Sequence, residues 1–108
     1  MTDRISIERD KARIVFDLAG RVRVGATLSD AECLADIAHR MDQMKGNTDT
    51  RIGDVGLRRT GERIELLLAR DGEWIRCPVT RFDVGTLVRM LRQAISNRTF
   101  TGSIAIAF

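Results

Sequence analysis

The sequence predicts an α+β domain: a mostly antiparallel sheet of five to seven strands with two helices on one face, in the order ββ(β)αβββαβ. Three observations predict it. Apolar residues alternate with polar ones over short stretches along most of the chain, two segments switch to spacings of three and four, and each of those segments opens on a Ser/Thr-x-x-Asp/Glu capping signature. With 108 residues and 44% hydrophobic content, residues 1–108 are expected to form a single domain around one core. A charged fraction of 31% and a single proline, Pro78, exclude a low-complexity or disordered chain.

The first alternations are residues 4–9 and 12–18. Ile5 and Ile7, then Ile14, Phe16 and Leu18, point to one side, so these stretches form a hairpin turning at Asp10-Lys11. After Gly20, Val22 and Val24 continue the period as a short third strand or a bent extension of the second. The pattern then changes. Ser29 with Glu32 forms a capping box, and Leu34, Ile37, Ala38, Met41 and Met44 give an apolar stripe, which predicts a helix over 30–44. Residues 46–53, polar and bounded by glycines, are expected to be a mobile loop.

Strands follow around 55–60, 63–70 and 73–79. Thr80 with Asp83 is a second capping box, ahead of Val84, Leu87, Val88, Leu91 and Ile95 on one stripe of a helix ending near 96. The closing SIAIAF places Ile104, Ile106 and Phe108 on one side of a last strand. A strand-rich stretch followed by a capped helix thus occurs twice, without a residue-level repeat to support a duplication.

Asp71-Gly72 is a strong two-residue turn signal, because a type I′ turn needs positive φ at both central positions. The register then follows by counting: Ala69 faces Trp74, Leu68 faces Ile75, Leu67 faces Arg76 and Leu66 faces Cys77. Alternation puts Ile64, Leu66 and Leu68 on the core face with Ile75, Cys77 and Val79. A turn at Thr60-Gly61 would place Leu57 opposite Ile64 and Val55 opposite Leu66. The outer face then collects Arg58, Arg63, Leu67, Trp74 and Arg76, which are the candidate binding residues.

Charge and cysteines bound the function class. Net charge is +3, with the second half basic: residues 51–108 hold ten arginines and no lysine against six acidic residues. Guanidinium groups suit phosphate, carboxylate and stacking contacts. Cys33 and Cys77 are expected as free thiols in a cytoplasmic protein. No apolar run is long enough to cross a membrane, and the N-terminus lacks the apolar stretch of a signal peptide.

Catalytic constellations fail. His39 and Cys33 lie about 240° apart around the first helix and do not converge on a metal. Asn47-x-Asp49 begins like a calcium loop, yet Arg51 and Ile52 stand where an oxygen ligand and a glycine are required. The glycines form no phosphate-binding motif. No catalytic residue, metal or cofactor is therefore expected. The expected function is a non-catalytic protein-interaction module, homodimeric, using the sheet face around Trp74. The alternative is a single-stranded nucleic-acid-binding domain stacking bases on the same Trp/Arg face, and a third possibility is that Trp74 is covered within the subunit.

Overall fold

The computed structural model describes residues 3–41, 43 and 46–106. It has an α+β fold of two helices and eight strands, and the strands divide into two four-stranded antiparallel sheets. In chain order the elements are β1 (Arg4–Asp10), β2 (Arg13–Leu18), β3 (Val22–Thr27), α1 (Leu28–Met41), β4 (Thr48–Ile52), β5 (Val55–Thr60), β6 (Arg63–Arg70), β7 (Glu73–Val79), α2 (Arg81–Ser96) and β8 (Thr101–Ala105). The first sheet has the order β3-β2-β1-β8 and the second β4-β5-β6-β7. Among the described residues no helix is long and apolar enough to cross a membrane.

The stretch 46–53, expected as a loop, contains β4. Its short side chains Thr48 and Thr50, with Ile52, turn toward the helices, and its register against β5 runs from Thr48↔Arg59 to Ile52↔Val55. Half-buried edge strands with mixed polarity carry little periodic signal, which is why sequence pattern alone assigns such a segment to a loop. Helix α1 also starts earlier than predicted. Thr27 caps it, accepting from the Asp30 amide at 3.0 Å, and the Ser29–Glu32 box does not form. Met44, Ala107 and Phe108 lie outside the described residues.

α2 begins as predicted. Thr80 is its N-cap, accepting from the Asp83 amide at 3.1 Å and donating its hydroxyl to the Asp83 carboxylate at 2.9 Å. The core lies between the helices and the inner faces of both sheets, with Phe16, Leu34, Leu66, Leu87 and Leu91 fully buried at its centre. Cys33 is exposed on α1, whereas Cys77, which alternation placed on the core face, is buried.

The two halves of the chain share one plan. Each is βββαβ: β1-β2-β3-α1-β4, then β5-β6-β7-α2-β8. The fourth strand of each half joins the sheet of the other half, so β4 flanks β5 and β8 flanks β1. The helices follow suit in part: α2 packs on β1 and β8 of the first sheet, whereas α1 packs on β4 and β5 of the second sheet and also on β2 and β3 of its own half.

Residue pairs confirm the equivalence. Arg9 on β1 donates through Nε to the Lys11 carbonyl, and through Nη1 to the Ala94 and Ile95 carbonyls at the end of α2. Arg59 on β5 donates through Nε to the Gly61 carbonyl and through Nη1 to the Met41 carbonyl at the end of α1. Each guanidinium thus caps the orphan carbonyls of the helix that its own half did not supply. The strand-rich stretch and capped helix that occur twice in the sequence are therefore a structural duplication.

Candidate functional site

The β6–β7 hairpin folds in the register obtained by counting, with Ala69↔Trp74, Leu68↔Ile75, Leu67↔Arg76 and Leu66↔Cys77. Asp71 and Gly72 have φ of 50° and 80°, as a type I′ turn requires. The β5–β6 turn sits at Gly61-Glu62 instead of Thr60-Gly61, because Gly61, with φ of 60°, takes the left-handed position that Thr60 resists. Leu57 consequently faces Leu66 and Val55 faces Leu68. The slip is two residues, an even number, so every side chain keeps its predicted face.

The outer face of the second sheet carries all five candidate residues. Arg63 and Arg76 are exposed, and Arg58 and Trp74 are half-buried. Leu67, expected among the binding residues of this face, is only 1% exposed. The cause is a residue from the stretch expected to be a loop. Arg51 on β4 lies in one cross-strand row with Gly56, Leu67 and Arg76, and its guanidinium stands 4.9 Å from the centroid of the Trp74 ring. β4 and β7 are opposite edges of this sheet, about 14 Å apart at ordinary strand spacing. The Arg51 side chain must therefore extend across the face over Gly56, and with Trp74, the diagonal neighbour of Leu67, it covers the leucine.

Arg51 is itself held by Asp49, through Nε to Oδ1 at 3.1 Å and Nη2 to Oδ2 at 3.2 Å. This paired hydrogen bond, reinforced by the charges of Arg51, Arg58 and Arg76, holds the Asp49 carboxyl below its ordinary value of 3.8. A carboxylate depressed in the folded protein contributes fully above its unfolded pKa, and that contribution is lost as pH falls through the folded value. Trp74 emission is thus expected to stay constant on acidification to about pH 4 and to shift below it as Arg51 is released. Asp49→Asn, lacking the titrating group, is expected to show no such acid limb in a fluorescence titration.

Glu65 lies on the same face and is 4% exposed. Its Oε2 has no hydrogen-bond partner among the described residues, the Arg63 guanidinium being 3.7 Å away. Burial, with a smaller contribution from Glu65, pushes the Cys77 thiol up to about 11, far from a nucleophilic thiolate at neutral pH. His39 is exposed on α1, and no cluster of three metal-ligating side chains occurs among the described residues.

The duplication supplies an internal comparison. On the first sheet Arg23 pairs with Glu8 at 3.3 Å and Asp17 at 3.5 Å. The equivalent positions in the second half are Arg76, Arg58 and Leu67. Both acids are replaced, and neither Arg58 nor Arg76 has a salt-bridge partner among the described residues. The β6–β7 connection is also three residues longer than that between β2 and β3, since Leu68 pairs with Ile75 where Leu18 pairs with Val22. Trp74 belongs to that extension. It borders a groove of about 630 Å³ between β3 and the hairpin tip, whose lining includes Arg21, Arg23, Asp54 and Glu73. Among known proteins no family model, curated sequence or solved structure matches the chain.

Proposed function

We propose that the chain is a non-catalytic interaction module that docks an acidic protein partner on the outer face of the second sheet. The observation that carries this is the replacement of an Arg23–Glu8–Asp17 cluster, two acids to one base, by Arg76, Arg58 and Leu67 on an otherwise equivalent face. Four arginines, Arg51, Arg58, Arg63 and Arg76, stand there against the carboxylates of Asp49 and Glu65. Tryptophan and arginine are the residue types that most often dominate binding energy, and charge complementarity with an acidic surface steers the encounter.

The same geometry argues against two neighbouring readings. Pairing this face with its own copy would bring arginines onto arginines, so charge disfavours a homodimer formed here. Base stacking needs a free indole face, and Arg51 occupies one at 4.9 Å. Burial makes the Cys77 thiol a poor nucleophile, and two cysteines without a disulfide suit a reducing, cytoplasmic setting.

The test uses fluorescently labelled polyglutamate and a labelled single-stranded oligonucleotide as probes, with anisotropy as readout. Polyglutamate is expected to bind more tightly than the oligonucleotide, to weaken with salt, and to lose about tenfold or more in affinity with Arg76→Glu and with Trp74→Ala. Preference for the oligonucleotide, or indifference to both substitutions, contradicts the proposal.

A further inference from the structure

The helix layer, on the side of the molecule away from the outer sheet faces, carries two features that the folding of a single chain does not explain. Phe82, in the first turn of α2, is 82% exposed and is the one large hydrophobic side chain exposed to that extent among the described residues. Gly85 follows at i+3 on the same face. A glycine inside a helix is destabilising relative to alanine, and here no close approach requires it, because an added Cβ would meet no atom within 4 Å. Beside Gly85 runs a shallow groove of about 380 Å³, lined by Val88, Arg89, Arg92, Gln93 and Ser96 in addition to the glycine. One helix thus presents an unpartnered aromatic knob and a notch kept open by the lack of a side chain.

The duplication shows that these are departures from the common plan. Thr27 and Thr80 cap the two helices in the same way, which aligns Phe82 with Ser29, Gly85 with Glu32, Arg89 with Asp36 and Arg92 with His39. The exposed side of α1 is therefore acidic where that of α2 is basic. Within one chain these opposite charges meet at the Arg92–Asp36 pair, 3.6 Å apart and half exposed.

We propose that the exposed surface of the helix layer is a self-association surface, on which two copies of this chain form a twofold dimer with Phe82 of each seated in the Gly85 groove of the other. The occupant is a second copy because a single surface carries both the knob and the notch, and both signs of charge. A twofold axis satisfies each of them twice. It sets the acidic α1 of one copy toward the basic α2 of the other, the arrangement that steers a correct encounter. The ring then lies between the guanidinium groups of Arg89 and Arg92, a cation–π setting that strengthens on desolvation. This dimer leaves the outer face of the second sheet open, so the two surfaces act independently.

The experiment is light scattering on the full chain across a concentration series, with circular dichroism and thermal unfolding as folding controls. The wild-type mass is expected to rise from 12.1 kDa to twice that value with concentration. Phe82→Ser and Gly85→Gln are each expected to raise the dimer dissociation constant by about tenfold or more while keeping the native spectrum, since one side chain is exposed and the other position is open. High salt is expected to weaken the dimer. A monomer at every concentration, or a dimer indifferent to both substitutions, overturns the proposal. A dimer lost in Trp74→Ala and kept in Phe82→Ser also overturns it, by moving self-association to the sheet.

Discussion

Arg59→Met is expected to lower the unfolding free energy by about 2–4 kcal/mol. The residue is 6% exposed, and its guanidinium donates to the carbonyls of Met41 and Gly61. Met41 ends α1, where the last carbonyls have no helical partner and the helix dipole favours a cation. A methionine retains most of the packed stem but neither donor nor charge, so the buried Met41 carbonyl and the turn carbonyl of Gly61 lose this donor. The equivalent change Arg9→Met removes bonds to Ala94 and Ile95 from a side chain that is only half-buried. Its effect is expected to be smaller, about 1–2 kcal/mol. Urea denaturation of both variants checks the order. Equal costs, or a smaller cost for Arg59, would show that helix capping by this buried guanidinium is not what holds the second sheet to α1.

Gly56→Val is expected to cost about 2–3 kcal/mol and to dismantle the candidate site as well. A Cβ at position 56 would stand 2.6 Å from the Thr50 carbonyl oxygen and 3.2 Å from the Arg51 Cα, so β4 must move away from β5. The first half shows that strand geometry alone does not demand glycine, since Ser6 occupies the equivalent place opposite Ser103. What demands it here is the close approach of the β4 backbone at Thr50 and Arg51, with the Arg51 Cγ, 3.3 Å from the added Cβ, setting out across the face. Once β4 shifts, Arg51 can no longer reach Trp74, Leu67 loses its cover, and Trp74 emission moves to the red. A destabilised variant with unchanged native-state emission would mean that Arg51 and Trp74 reach each other by another route.

The parts of the fold fixed by local rules were legible in the sequence. Asp71-Gly72 gave the register of β6 and β7 because its turn chemistry is nearly unique, and Thr80 with Asp83 located the start of α2 for the same reason. Parts fixed by distant contacts were not. β4 is a strand only because β5 lies beside it, and its Thr-x-Thr pattern says nothing of that partner. Leu67 alternates onto the outer face as counted, but its burial depends on Arg51, a residue sixteen positions away on another strand.

The division into two sheets was hidden because each sheet borrows its last strand from the other half. One signal of the duplication was nonetheless present. Arg9, Arg13, Ile14 and Leu18 recur at an offset of fifty as Arg59, Arg63, Ile64 and Leu68, and Thr27, Asp30 and Leu34 recur at an offset of fifty-three as Thr80, Asp83 and Leu87. The change of offset is the three-residue extension that carries Trp74, and it disguises the repeat from any search at one fixed period.

The exchange of end strands also governs how the protein is made. As the chain leaves the ribosome, β1, β2 and β3 emerge before the other elements of this fold, yet one side of β1 stays bare until β8 has been synthesised, since Arg4 pairs across with Ala105. A ribbon left unsatisfied for that long invites pairing with strangers. The opening strand counters this in its own composition: Arg4, Glu8 and Asp10 face the water and discourage casual partners until the proper one arrives.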